Sequence, residues 1–319
     1  MITIFSLDEL TPAANGAVVA IGNFDGMHHG HQALIAEAKA KAKELSAPLM
    51  VMTFEPHPRQ FFSAQSPAFR LATLEQKERL LSECSVDLML AVPFDREFAS
   101  MPAEDFVNDL LINRLGAQHI FAGWDFRFGS GRSGSMAMVE DLASKTGVGV
   151  TTVQPVKDSH GEPFSSSRVR ACLSAGEIQA AGDLLGRDWE IVGKVMPGDQ
   201  IGRTIGFPTA NLALGDYQRA KYGIYAVESE IKGREGQWFG GAAYLGYRPT
   251  INGAKEVFEV HFFDFDEEIY GEEIRVKLVD YIRDDAKLDS LEALKKQIEE
   301  DCKAARAVLS QRQSKQRDF

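Results

Sequence analysis

The residues best equipped for chemistry fall into two groups, far apart in the chain. The first is Gly22-Asn23-Phe24-Asp25-Gly26-Met27-His28-His29-Gly30-His31, which sets three imidazoles among small residues between two apolar patterns. A helix starting at the end of such a loop offers backbone N–H groups and positive dipole density, and the glycines let a phosphate approach the backbone. His28 and His31 are therefore candidates to donate hydrogen bonds to phosphate oxygens as negative charge develops. A single histidine here would read as a cap or surface residue; three in one glycine-bearing loop favour ligand binding. Metal coordination by the histidines ranks below phosphate binding, because Asp25 is the only carboxylate in the loop and no further ligand cluster accompanies it.

The second group joins Gly202-Arg203-Thr204-Ile205-Gly206-Phe207-Pro208-Thr209-Ala210-Asn211 to Val257-Phe258-Glu259-Val260-His261-Phe262. In an extended segment Thr209 and Asn211 point the same way, and oxygen ligands of this kind suit Mg²⁺ held partly by the phosphates of ATP. Taken alone, Pro-Thr-Ala-Asn reads as a turn. Alternation places Glu259 and His261 on the face opposite Phe258, Val260 and Phe262. A carboxylate on a stiff strand can take the proton of an attacking alcohol; alone, the pattern reads as a solvated strand face.

Periodicity supplies the elements that must position these groups. Strands are expected over 17–24, 49–54, 88–92, 120–123 and 149–153, and helices over 32–45, 74–81, 103–114 and 136–146. This alternation implies a parallel sheet covered on both faces, with ligands at the carboxyl ends of its strands. Helices over 167–173 and 178–185 follow. From about Gly186 the pattern changes to β-rich runs at 223–230, 238–245, 257–263 and 274–282, which fit a small antiparallel barrel or sandwich. An amphipathic helix over 288–309 and a loose charged tail over 311–319 complete the expectation.

With 319 residues the chain has room for two domains, expected at 1–186 and 187–319. Its net charge of −11 argues against nucleic acid or an anionic membrane as partner, while leaving room for a local anion pocket. Cys84, Cys172 and Cys302 are too scattered for a disulfide framework or zinc site. The start of the chain lacks a basic region and an apolar run, and no segment approaches a membrane span. A cytoplasmic location is expected; the oligomeric state is not legible.

His28-His29-Gly30-His31 resembles the His-x-Gly-His signature of the nucleotidyltransferase superfamily. Ser165-Ser166-Ser167-Arg168-Val169-Arg170 resembles its second signature, a hydroxyl run followed by basic residues. The resemblance implies a Rossmann-like domain in which an acceptor phosphate attacks the α-phosphate of ATP and pyrophosphate leaves. It implies ATP contacts from Gly22, Asn23, Phe24, Asp25, Gly30, Ser165, Ser166 and Ser167, with Arg168 on the departing phosphates. Thr53-Phe54-Glu55-Pro56-His57-Pro58 and Gly123-Trp124-Asp125-Phe126-Arg127-Phe128-Gly129 resemble blocks of bacterial FAD synthetases, implying a flavin site at Pro56, His57, Pro58, Asp125, Phe126 and Phe128. Read only as residues, the prolines rigidify a loop and the phenylalanines are core.

Gly206-Phe207-Pro208-Thr209-Ala210-Asn211 resembles the nucleotide and Mg²⁺ motif of riboflavin kinase, with Gly206, Thr209 and Asn211 as ATP contacts, Thr209 and Asn211 on the metal, and Glu259 in the place of the general base. Tyr222-Gly223-Ile224-Tyr225 and Arg248-Pro249-Thr250 are similar to further blocks. Together the two halves resemble the bacterial bifunctional riboflavin kinase/FAD synthetase, implying Mg²⁺ with ATP, and riboflavin, FMN and FAD as substrates or products. Tyr244-Leu245-Gly246-Tyr247, Pro197 and Ile201 depart from the pattern, and bear on kinase efficiency more than on adenylyl transfer.

Overall fold

Alternate residues of the first apolar runs face opposite sides of one sheet, and both sides are covered. Val19 and Ile21 of β2 (Val18–Ile21) share a core cluster with Met50, Met52, Phe106 and Leu110. Val18 and Ala20 belong to another, with Leu34, Ile35, Ala38 and Leu81. Burial on both faces is what a parallel strand flanked by helices requires.

The computed structural model describes every residue except 11–13, 64–66, 199–200, 251–252, 288–289 and 318–319. Two compact units result: residues 1–67 with 73–165, and residues 68–72 with 166–319. They meet at Ser165 and Ser166, ahead of the 186/187 division expected from the sequence.

In the first unit, β1 (Ile2–Ile4), β2, β3 (Leu49–Glu55), β4 (Leu88–Pro93), β5 (His119–Gly123) and β6 (Gly149–Val153) form a six-stranded sheet in the order β1-β4-β3-β2-β5-β6. Its pairings are all parallel. The helices are α1 (His29–Leu45), α2 (Pro58–Phe62), α3 (Leu74–Glu83), α4 (Arg96–Ser100), α5 (Ala103–Asp105) and α6 (Met136–Ser144). A capping box of Thr73 and Gln76 starts α3. The helix expected over 103–114 is α5 running on into a π-helix, Phe106–Arg114, so Leu115 N–H bonds the Leu110 carbonyl at 2.9 Å. Phe106, Val107, Leu110 and Leu111 are buried in that winding, and the same apolar positions would suit an α-helix, which is why the pattern could not separate the two.

In the second unit, β7 (Trp189–Lys194), β8 (Ala210–Leu212), β9 (Gly223–Ile231), β10 (Trp238–Thr250), β11 (Gly253–Phe262) and β12 (Glu273–Arg283) form a six-stranded sheet in the order β7-β12-β9-β10-β11-β8. Every pairing is antiparallel. Register shifts in β12 between Leu278 and Asp280 and between Tyr281 and Arg283 help curl it into a half-barrel. The helices are α7 (Ser166–Ala175), α8 (Ile178–Leu185), α9 (Ile201–Thr204) and α10 (Leu291–Arg317). Ala305 and Leu309 of α10 pack on Ala226, Ala242 and Val279. The tail expected to be loose is helical as far as Arg317; Arg312 forks onto Asp188 at 2.9 and 2.5 Å, tying the extra turns down. The strap at 68–72 is part of this unit. Phe69 and Leu71 are buried, Gln218 N–H bonds the Arg70 carbonyl at 2.7 Å, and Trp189 Nε1 donates to the Leu71 carbonyl at 2.8 Å.

Candidate active sites

Strand order reverses beside β2, with β3 and β4 on one side and β5 and β6 on the other. Such a switch point opens a crevice at the carboxyl ends of the strands. The loop leaving β2 carries the histidines. Three of its residues, Phe24, Gly26 and Met27, have φ of 48°, 84° and 49°, so two bulky side chains sit in the left-handed region that normally suits glycine. Backbone strain of this kind collects at functional sites.

His28 is the N-cap of α1 but makes no side-chain capping bond. Its ring is instead stacked on His31, with centroids 3.7 Å apart and planes 20° apart. Gly30 serves this stack: a Cβ there would lie 3.1 Å from the His28 ring, so the residue makes room for the imidazole. Asp25 and His28 are buried, at 4% and 6% exposure. His31 Nδ1 is buried without a hydrogen-bond partner among the described residues. Burial, followed by the neighbouring His28 and Lys77, holds the His31 pKa well below its ordinary 6.5. A neutral ring donates through one nitrogen only, which suits a hydrogen-bond donor to a phosphate and not a fixed counter-charge. Lys77, which the sequence reading missed, is 4% exposed.

The residues expected on the flavin divide. His57 caps α2, its Nδ1 accepting from Arg59 N–H at 3.1 Å; Pro56 is exposed and Pro58 half-buried. Asp125 is exposed. Phe126 is half-buried and stacks on Phe128 at 5.5 Å. Phe128 is 6% exposed, packed 4.8 Å from Phe106, and a Cβ on Gly134 would come within 2.4 Å of its ring. Of the pair, Phe126 keeps some exposed surface, and Phe128 supports it from the core. Trp124, in the same block, is 53% exposed just beyond β5. A hollow of about 490 Å³ elsewhere in the unit is lined by Met1, Glu75, Glu78, Arg79, Ser82 and Glu83; three carboxylates make it a poor seat for a nucleotide.

Ser165 closes the first unit, whereas Ser166, Ser167 and Arg168 begin the second on α7. Arg170 is used structurally, donating to the Phe69 carbonyl at 2.7 Å with its guanidinium over the Phe69 ring.

In the half-barrel, Asn211 of β8 lies opposite Glu259 of β11, and Glu259 lies opposite Tyr244 of β10. Directly opposed residues share a face, so the three form one row across the sheet. Glu259 is only 5% exposed, which overturns the solvated-face reading, and it is ion-paired with Arg248. The segment before β8 is shaped by glycine. Gly206 has φ of 91°, Phe207 N–H bonds the Gly202 carbonyl at 2.7 Å, and a Cβ on Gly198 would lie 2.3 Å from the Asn211 amide. His261 Nδ1 meets the Pro208 carbonyl at 2.8 Å; burial first lowers its pKa, and the neutral ring donates this N–H. Among the described residues no group of three or more His, Cys, Asp or Glu is placed to hold a metal. The Asn211 side-chain amide donates to the Thr209 carbonyl at 3.5 Å.

The departures from the kinase pattern are built into this sheet. Tyr244 donates to Asp285 at 2.8 Å, over Gly246, where a Cβ would strike the Tyr244 hydroxyl at 2.4 Å. Tyr247 is 51% exposed, with its ring 5.2 Å from that of Tyr222. Tyr222 in turn donates to Glu256 at 2.8 Å. The Pro249 and Thr250 side chains, and that of Ile201, lie outside the described residues; Pro197 is exposed.

Comparison with known proteins follows the same division. The FAD synthetase family matches residues 10–168 and the riboflavin kinase family residues 185–309. The bifunctional riboflavin kinase/FMN adenylyltransferase of Haemophilus influenzae is 38% identical over 312 residues, covering 96% of this chain and 99% of its own. That of Escherichia coli K12 is 40% identical, covering 91% of this chain and 92% of its own. A solved structure of a macrolide-efflux protein from Streptococcus pneumoniae superposes with a TM-score of 0.81 at 34% identity, over 94% of this chain and 96% of that one; among the described residues here, no helix is long and apolar enough to cross a membrane. Two family matches in the right order, on a parallel-sheet unit with a histidine loop and an antiparallel unit with an Asn–Glu–Tyr row, together with relatives of this identity along nearly the whole chain, make this protein a member of the bifunctional riboflavin kinase/FMN adenylyltransferase family.

Proposed function

We propose that residues 187–319 phosphorylate riboflavin to FMN and that residues 1–186 adenylylate FMN to FAD, each step using one ATP. The observation that carries the kinase assignment is the row in which Glu259 stands directly opposite Asn211, two residues beyond Thr209. Glu259 accepts the proton of the ribityl 5′-hydroxyl as its oxygen attacks the γ-phosphorus; the bond from that phosphorus to the bridging oxygen breaks and ADP leaves. Thr209 and Asn211 would hold Mg²⁺ together with ATP phosphates, where it would offset their negative charge. Arg248 keeps the Glu259 carboxylate oriented through their ion pair.

In the first domain an FMN phosphate oxygen attacks the α-phosphorus of a second ATP, and pyrophosphate departs. No enzyme nucleophile is needed, so positioning and charge carry the reaction. His28 and His31 donate hydrogen bonds to phosphate oxygens, the backbone of Gly22 to Asp25 lines the nucleotide, and Ser165 to Arg168 hold the departing phosphates. Pro56, His57, Pro58, Asp125 and Phe126 border the flavin. A cytoplasmic location fits three cysteines held as free thiols. Incubation of the purified protein with riboflavin, ATP and MgCl₂, followed by chromatography, tests the whole scheme. FMN rising transiently before FAD is the expected course; absence of FMN would remove the kinase assignment, and failure to convert added FMN would remove the adenylyl-transfer assignment.

A further inference from the structure

Beneath the histidine loop runs a hydrogen-bonded chain that the scheme above does not use. Lys77 Nζ on α3 donates to Thr53 Oγ1 at 2.9 Å, and Thr53 Oγ1 donates to the Asn23 carbonyl at 3.2 Å. Thr53 is fully buried and Lys77 is 4% exposed. Chemistry fixes the direction: an ammonium only donates and a carbonyl only accepts, so the single hydroxyl proton goes to Asn23. The peptide joining Asn23 to Phe24 is trans, and in a trans peptide the N–H points opposite to the C=O. A carbonyl drawn onto Thr53 therefore turns the Phe24 N–H away from β3. Phe24 holds φ of 48°, a setting that a bulky residue keeps only where its surroundings impose it. Its ring is buried and lies 5.2 Å from that of His31.

We infer that Lys77 and Thr53 are positioning residues for adenylyl transfer: they latch the strained Asn23–Phe24 peptide with its N–H turned outward to a nucleotide phosphate, and set a buried positive charge behind the stacked histidines. The inference rests on the reading of His28 and His31 as a phosphate cradle. The effect of Lys77 on His31, which it helps keep neutral, agrees with this placement.

The test uses full-length Thr53→Val, Thr53→Ser, Lys77→Met and His28→Ala proteins. FAD formation is measured against ATP concentration, inorganic pyrophosphate binding by calorimetry, FMN formation from riboflavin as a control for the second unit, and the melting of the first unit as the control for its folding. Thr53→Val keeps the side-chain shape and loses the hydroxyl, and is expected to raise KM for ATP and weaken pyrophosphate binding by ~10- to 100-fold, the effect of losing a charge-assisted hydrogen bond. Its kcat should change less and its FMN formation should be unaltered. Thr53→Ser should restore both quantities, and Lys77→Met should match Thr53→Val. Unchanged pyrophosphate binding in Thr53→Val, or a Thr53→Ser protein as impaired as Thr53→Val, overturns the latch. If His28→Ala also forms FAD normally, the cradle falls with it; if His28→Ala is defective while Thr53→Val is not, only the latch falls.

Discussion

Replacing Glu259 by Gln keeps the size and planarity of the side chain while removing its charge and its ability to take a proton. Two effects follow, and the structure separates their sizes. Loss of a general base typically costs 10²- to 10⁴-fold in rate, so FMN formation should fall by about that factor. The second effect is on stability. Breaking a fully buried ion pair costs about 3–5 kcal/mol, but the Arg248 side chain is 35% exposed against 6% for that of Glu259, so water can take over much of the stranded guanidinium. Discounting for that exposure leaves about 1–2 kcal/mol. For a unit of this size each kcal/mol lowers Tm by roughly 2–4 °C, so the half-barrel transition should fall by a few degrees without being lost. The assay is chromatographic: riboflavin and ATP in one reaction, FMN and ATP in a second with the same preparation. FAD formation from FMN does not use Glu259 and should hold its wild-type rate. FMN formation within about threefold of wild type would refute the proton-acceptor role, since no general base is worth so little.

Three further outcomes follow from the geometry. His31 has a folded pKa below its unfolded value, so protons bind the unfolded chain more readily and stability is lost as pH falls below about 6.5, by at most ~1.4 kcal/mol per pH unit for this group. Melting of the first unit between pH 7.5 and 5.5 should show that slope, reduced in His31→Gln; parallel curves would refute it. Gly129→Ala places a Cβ 2.6 Å from the Ala103 Cα at φ of 70°, and should destabilise the first unit by about 1–3 kcal/mol in urea titration; a neutral change would mean the 103 and 129 backbones part readily. Trp189→Phe removes the Nε1 bond to the Leu71 carbonyl, 2.8 Å long and buried, and should cost the second unit about 1–3 kcal/mol, read as a lower Tm for that unit with FAD formation from FMN retained.

The sequence made the site loops legible because their chemistry is local. Three histidines around Gly30, and Thr209 beside Asn211, announce themselves in a few residues. It could not show how those loops are held. That Gly30 clears space for the His28 ring depends on a stack between side chains one helical turn apart, and periodicity carries no such detail. Lys77 was hidden for the opposite reason: on α3, between Gln76 and Glu78 and with Lys and Glu common in such surroundings, it reads as a solvated helix position. Only the sheet order that sets β3 beside β2 brings Thr53 under Asn23 and turns that position inward. Glu259 shows the same limit in the half-barrel. Its alternation was plain, but whether its face met water depended on β8 pairing on one side and β10 on the other. β8 is three residues long, too short to register as a strand. Long-range pairing thus converted an ordinary alternating glutamate into a buried carboxylate opposite the Asn211 side of the nucleotide motif, and the same pairing places Tyr244, a departure from the kinase pattern, in direct line with the proposed base.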